Sequence, residues 1–341
     1  MATFFDRSHW GRIRLTGADR VRFLHNQTTN NIEQLLANEG CHSVFVTSTG
    51  RTIDLATVYA FEDSFLVIVS PGMTKQLYDW MDKYIFFSDK VTLTDESNKT
   101  FLFTVVGEGC DELARSLGAE KLVNKSAFTH QAIAFDNSQE ADSMQQADLA
   151  ESRPKESDTQ PNIHIACDAE LAIPGYTLWG PIDRADAVRQ AILSMGTTTG
   201  TEAEWESLRV QQGRPLPNKE LTEDDNPLEA GLWHSISFEK GCYIGQETIA
   251  RLNTYKGVKK RLWGLTIDRP VLEGADIALD GKKIGQLTSL VKTEAGFFGL
   301  GYIRTKAGGQ GLDVEIEEAK AKVIAVPFVQ HKYYEPDKLD S

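Results

Sequence analysis

Residues 240–247 read Lys-Gly-Cys-Tyr-Ile-Gly-Gln-Glu, which puts a cation, a thiol, an amide and a carboxylate within eight positions. Thiolate is the nucleophilic form of cysteine, and nearby cations favour it. Cys242, with Lys240 before it and Arg251 after it, is therefore the candidate for thiol chemistry, and Lys240 is its partner. Glycine is used where the backbone needs positive φ or another group must come close. Gly241 and Gly245 thus mark a turn that holds Gln246 and Glu247 outward. Residue types alone leave two readings, a working site or a tight turn. A Cys/His nucleophilic pair is less well supported, because the nearest histidine, His234, lies eight residues upstream.

No acid occurs between Glu247 and Asp268, whereas Arg251, Lys256, Lys259, Lys260 and Arg261 all fall in that gap. In a chain of net charge −13 this is a local positive island. Such a patch concentrates anionic ligands and clamps a carboxylate or phosphate; the alternative is a solvated strand edge whose lysines deter aggregation. The overall acidity argues against direct nucleic-acid binding, which draws its affinity from Lys and Arg on phosphates. The cysteines Cys41, Cys110, Cys167 and Cys242 stand 69, 57 and 75 residues apart. That is neither a metal-ligand spacing nor a small disulfide framework, so no metal is expected, and Cys41, Cys110 and Cys167 read as buried and unreactive.

At 341 residues the chain is long enough for two or three units. The first ~135 residues alternate β-rich runs with amphipathic helical ones, as in α+β or α/β layering. Thr16-Gly17-Ala18-Asp19 resembles a capping box before a helix carrying Val21 and Leu24. Strands are expected over 43–48, 55–61 and 64–70, and helices over 73–85 and from Cys110 to Gly118. Residues 136–162 hold seven acids and two bases with almost nothing aromatic or β-branched, which reads as a mobile acidic insertion flanked by strands 130–135 and 163–167 that pair across it. A second α+β segment spans 163–257, with a helical face of Val188, Ile192 and Met195 and a capping box from Thr201 to Glu204. Glycine-punctuated strands over 258–330 point to a small β-barrel or sandwich, and 331–341 is a tail. No apolar run reaches the ~18 residues needed to span a bilayer, and the N-terminus has no leader-like pattern. The expectation is a monomer of the cytoplasm, or of an organelle matrix or stroma if this is a mature eukaryotic chain.

KGCYIGQETIARL resembles the signature of the YgfZ-type folate-binding proteins, relatives of the aminomethyltransferase (T-protein) of the glycine cleavage system. LRVQQGRPLPNKELTEDDNPLEAGL (208–232) and RIRLTGADRVRFLHNQTTNNI (12–32) are similar to other stretches of that family. The resemblance implies an α+β cloverleaf of two mixed segments and a C-terminal β-barrel around a central opening for tetrahydrofolate or a one-carbon derivative. It also implies a role in assembly or repair of iron–sulfur enzymes, some of them tRNA-modifying, with Lys240 and Cys242 as the functional pair and those client enzymes or assembly proteins as partners. A one-carbon or aminomethyl transferase is the alternative.

On this reading the folate-binding residues are Asp54, Arg209, Gln211, Gly241, Gln246, Glu247, Arg251, Lys259 and Lys260. The basic ones meet the dianionic glutamate tail. Two positions depart from the aminomethyltransferase pattern. Gln211 stands where those enzymes use a glutamate to hold the pterin, and an amide oxygen accepts one bond without charge. Gly50-Arg51-Thr52-Ile53-Asp54-Leu55 stands in place of a GGILDD-like run, leaving Asp54 either for transfer chemistry or for a structural turn.

Overall fold

A computed structural model describes residues 1–135 and 163–336. The acidic stretch 136–162 and the last five residues of the tail lie outside the described residues. The first sheet is built from β2 (Gly11–Thr16), β3 (Gly40–Val46), β4 (Thr52–Ala60), β5 (Ser64–Val69) and β6 (Thr92–Asp95) in the order β3-β4-β5-β2-β6, every pair antiparallel. A strand alternates its side chains between two faces. Phe65, Val67 and Val69 of β5 therefore pack under helices α1 (Arg20–Gln27) and α2 (Thr74–Lys83), while Leu66 and Ile68 point the other way.

The second sheet takes strands from both sides of residue 135. Its members are β1 (Thr3–Asp6), β7 (Thr100–Val106), β8 (His130–Ile133), β9 (Ile163–Ala166), β10 (Gly175–Pro181) and β11 (Thr198–Thr199) in the order β11-β1-β7-β10-β9-β8. β8 and β9 pair antiparallel, His130 opposite Ala166 and Ile133 opposite Ile163, so the strands flanking the acidic stretch do meet. Phe101, Phe103 and Val105 face α3 (Cys110–Ser116) and α4 (Ala185–Ser194), whereas Leu102 and Val106 join Leu66, Ile68, Tyr59 and Trp179 in a core between the two sheets. The result is a helix–sheet–sheet–helix sandwich.

Helix α5 (Glu202–Gln212) begins at the expected capping box: Glu204 N donates to Thr201 Oγ1 at 3.2 Å and Thr201 N to Glu204 Oε2 at 2.7 Å. The other expected box does not form. Asp19 sits at the N-cap of α1, but its Oδ2 accepts from Lys90 N, a partner 71 residues away that no local pattern announces. After α6 (Gln246–Thr254) the chain closes a six-stranded barrel from β12 (Lys260–Ile267), β13 (Asp276–Leu279), β14 (Lys282–Thr293), β15 (Gly296–Arg304), β16 (Asp313–Ile316) and β17 (Ala319–Ile324). Residues 313–319, which read DVEIEEA, end β16 and begin β17, with the chain turned at Glu317, whose φ is 54°. Residues 330–334 then fold back on 231–238: Gln330 N donates to Gly231 O, and Tyr334 stacks on Phe238. No helix among the described residues is long and apolar enough to cross a membrane.

Candidate functional site

Gly245 caps α6 with φ +82°, a conformation that side chains strain to adopt. A Cβ there would lie 2.6 Å from Thr47 O and 3.1 Å from Gly50 Cα. The eight-residue stretch is thus pressed against the turn that joins β3 to β4, and the two motifs picked out in the sequence, 50–55 and 240–247, meet in space. Gly241 differs: its φ is not positive, and an added Cβ would touch only His25 Nε2, at 3.7 Å. Ile244 N donates to Asn26 O at 3.0 Å and ties the same stretch to α1.

Lys240 is not a free cation beside the thiol. Its side chain is buried, and its Nζ donates to the carbonyls of His25, Thr28 and Asn30, the latter two at 2.8 Å. These are carbonyls at and just beyond the C-terminal end of α1, where a helix leaves acceptors unsatisfied and its dipole favours a cation. Burial draws the ammonium down to about 7, with the charges of Cys41 and Glu33 opposing. The three carbonyls also oppose it, since only the ammonium has three N–H groups to give them. Lys240 therefore ties the turn to the end of α1, with its nitrogen on backbone carbonyls.

Cys242 is exposed. It opens on a cavity of about 550 Å³ lined by Arg22, Asn26, Gln27, Tyr84 and Phe86 among others. The other three thiols are less available: Cys110 is buried, Cys41 and Cys167 are half-buried, and burial pushes Cys41 and Cys110 up to about 12 and raises Cys167. His234 is not beside Cys242 among the described contacts; its ring neighbours are His42 and Phe328. His25, which sequence reasoning passes over, is the imidazole that reaches the turn.

The positive island is largely spent within the protein. Lys256 pairs with Glu335 at 2.9 Å, Lys260 pairs with Asp225 at 2.5 Å over the ring of Tyr302, and Arg261 donates to His331 O between Trp233 and Tyr333. Arg251 and Lys259 are exposed and make no ion pair among the described residues. Gln246 and Glu247 occupy the first turn of α6, half-buried and exposed respectively.

Arg209 has no donor left for a ligand. Its Nε and Nη2 grip Glu206, Nη1 donates to Glu220 and to Arg214 O, and Nη2 also reaches Ser289. This buried network fastens α5 to the barrel. Gln211 turns its amide back along α5, donating to Ser207 O and Oγ at 3.1 and 2.9 Å. Asp54, on β4, is fully buried, with Oδ1 accepting from Ser70 Oγ at 2.6 Å and Oδ2 from Ser70 N at 2.8 Å. Burial pushes its carboxyl up to about 6 against those bonds and the charge of Arg214.

Below Asp54 the fold gathers charges that no motif announces. Glu170, in left-handed backbone at φ 62°, accepts from Arg214 Nη2 at 2.9 Å and from Thr57 Oγ1, and lies 3.5 Å from His42 Nε2. Burial would raise its carboxyl, but His42, Arg214 and Arg7 hold it well below the usual carboxylate range. Asp168 is pushed up to about 6 by burial and by the charge of Glu170. Arg7 lies over Trp10 at 3.8 Å and Trp205 at 4.5 Å and donates to Thr104. The contributors come from β3, β4, the β9–β10 loop and the residues after β1 and α5, so all are brought together by tertiary structure.

Residues 1–147 match the family described as GCVT N-terminal domain. A chloroplastic protein of Arabidopsis thaliana that bears the name of a transferase is 39% identical over 331 residues, covering 96% of this chain and 71% of its own. An aminomethyltransferase of Halalkalibacterium halodurans is 24% identical, covering 96% of this chain and 86% of its own. Among solved structures, the glycine cleavage system aminomethyltransferase T of Bartonella henselae superposes with a TM-score of 0.79 over 98% of this chain and 88% of its own, at 19% identity. At that identity the likeness establishes the aminomethyltransferase-like fold.

Proposed function

The chain belongs to the GCVT-domain family, and from that membership we propose that it is a tetrahydrofolate-binding accessory protein for the assembly or repair of iron–sulfur enzymes, not an aminomethyltransferase. One observation carries the choice: Asp54, the acid retained in the GGILDD-like position, is sealed with both oxygens on Ser70, whereas Cys242 is exposed at a cavity. A general acid or base must reach the proton it moves, and a carboxylate so committed is a structural one. The iron–sulfur assignment, including tRNA-modifying clients, rests on the likeness of KGCYIGQE to the YgfZ-type signature. Arg251 and Lys259 are the cations we assign to the folate tail, and Gln211, Gln246 and Glu247 are the polar groups we place near it. A cytoplasmic or organellar-matrix setting fits this reading, and the plant relative's chloroplastic name agrees with the second.

Tetrahydrofolate titration of the wild-type chain, followed by tryptophan fluorescence, should show saturable binding. Aminomethyl transfer should be absent, and Cys242→Ser should bind folate yet fail to restore iron–sulfur enzyme activities in a deletion strain. Turnover of an aminomethyl donor that Asp54→Asn abolishes would replace this reading with the transferase.

A further inference from the structure

His42, Asp168 and Glu170 each offer a donor atom, and the three atoms lie within 4.8 Å of one another. His42 Nε2 and Asp168 Oδ2 have no hydrogen-bond partner although their residues are 6% and 9% exposed. A buried nitrogen and a buried oxygen without a well-formed hydrogen bond, both within one small cluster, are costly, because each has left water for an incomplete replacement. Glu170 Oε2 is the third atom, 3.5 Å from His42 Nε2. That separation is long for a hydrogen bond, which prefers roughly 2.7–3.2 Å. It is close to the ~3.4 Å that separates two donors bound at ~2.0–2.1 Å to one tetrahedral ion.

We propose that His42, Asp168 and Glu170 form a divalent metal site. One imidazole, two carboxylates and no thiolate select a borderline first-row ion of the zinc, manganese or cobalt class over calcium, which takes oxygen ligands, or copper(I), which takes sulfur. The charges of Arg7 and Arg214 do not forbid it, because both have support apart from the carboxylates. Arg7 lies over the indoles of Trp10 and Trp205, and Arg214 lies 4.8 Å over Trp10 with Pro215 O and Leu55 O near its guanidinium. An arginine on an indole face keeps its charge through the ring quadrupole. Arg214, donating to Glu170 Oε2, then orients a ligand as outer-shell partners do. Thr57 holds the other oxygen of Glu170, so the carboxylate presents one atom to the site. The site rests neither on the folate reading nor on Cys242.

The test uses the full chain, stripped with a chelator and dialysed, then titrated with Co²⁺ and followed by visible d–d absorption, with Zn²⁺ added in competition. One equivalent of Co²⁺ should bind, with bands displaced by Zn²⁺. Asp168→Asn keeps the shape and the hydrogen-bonding oxygen, so it should fold and should weaken Co²⁺ binding by about 100-fold or more, the upper range for merely outer-shell changes. His42→Gln should do the same, and Cys242→Ser should leave binding unchanged. If His42→Gln fails to fold, Asp168→Asn alone decides. Absence of stoichiometric Co²⁺ binding, survival of that binding in Asp168→Asn, or its loss in Cys242→Ser would each overturn the site. Tetrahydrofolate binding by the stripped chain is a separate measurement, so failure of the metal site and failure of the folate reading remain distinguishable.

Discussion

Replacing Lys240 with methionine keeps the aliphatic stem and deletes the ammonium. Two of its three acceptors, His25 O and Thr28 O, are in buried bonds, and the third, Asn30 O, is partly buried. Leaving a buried acceptor unsatisfied costs about 1–3 kcal/mol. Two such carbonyls and one that water can reach give roughly 2–6 kcal/mol, from which relief of the ammonium's own desolvation subtracts, and about 3 kcal/mol is the net loss expected. For a chain of 341 residues that corresponds to a fall of roughly 4 °C in thermal midpoint. The measurement is chemical denaturation of wild type and Lys240→Met from pH 6 to pH 9. An amine that titrated near 7 in the fold and near 10.5 unfolded would bind fewer protons when folded, and wild type would gain stability over the variant by about 1.4 kcal/mol per pH unit above 7. With the three carbonyls holding the ammonium, the difference between the two proteins should instead stay level across that range. Alkylation of Cys242 in the variant should keep its pH profile, because the ammonium serves α1 and not the thiol. An unchanged midpoint in Lys240→Met would refute the positioning role, and a difference that climbs above pH 7 would show that burial wins over the acceptors.

Gly245→Ala should destabilise by about 2 kcal/mol or more, since it combines strain at φ +82° with a 2.6 Å approach to Thr47 O, while Gly241→Ala should be tolerated within about 1 kcal/mol; equal effects would disprove the close packing on the β3–β4 turn. Asp54 has a carboxyl raised to about 6 from an ordinary 3.8, so the fold prefers it protonated, and its favourable contribution, full below about 4, is lost as pH rises through 6. Asp54→Asn does not titrate and should therefore improve relative to wild type by about 3 kcal/mol between pH 4 and pH 7, and a pH-independent difference would mean that Ser70 keeps the carboxylate ionised throughout. Charge reversal at both Arg251 and Lys259 should weaken tetrahydrofolate binding more at low salt than at high salt, whereas reversal at Lys260 should instead cost stability through loss of its pair with Asp225. Unchanged affinity in the Arg251/Lys259 variant would move the folate tail elsewhere.

Much of the architecture was legible because apolar periodicity is local. The β-branched and aromatic run SFLVIVS announces a strand buried on both faces, and the structure sends Leu66 and Ile68 to the inter-sheet core and Phe65 and Val67 to the helices. What local pattern cannot carry is pairing. β1 lies beside β7 and β11 from the far end of the second sheet, and Asp19 answers to Lys90 instead of to its own first turn. The short β13 and β17 are not legible for a related reason: strands of four and six residues in a small barrel owe their form to their neighbours, and the turn at Glu317 uses a left-handed residue other than glycine, which a search for glycine passes over.

The candidate site divides along the same line, and the division says which groups can do chemistry. The signature could be found because its eight residues are contiguous, yet contiguity does not show where Lys240 points; it lies two residues from Cys242 in sequence, and its partners in space are His25, Thr28 and Asn30. The basic island shows the same limit in charge: five cations in a row of acid-free sequence become two once Asp225, Glu335 and the carbonyl of His331 engage Lys260, Lys256 and Arg261. The polar centre was invisible because His42, Asp168, Glu170 and Arg214 are separated by as much as 172 residues and converge through tertiary packing alone. A side chain whose hydrogen-bonding capacity is filled by the protein is committed to the fold, as Lys240, Arg209 and Asp54 are. The exposed thiol of Cys242 and the orphaned atoms of His42 and Asp168 are not so committed, and it is at these two places that a ligand would complete what the chain leaves open.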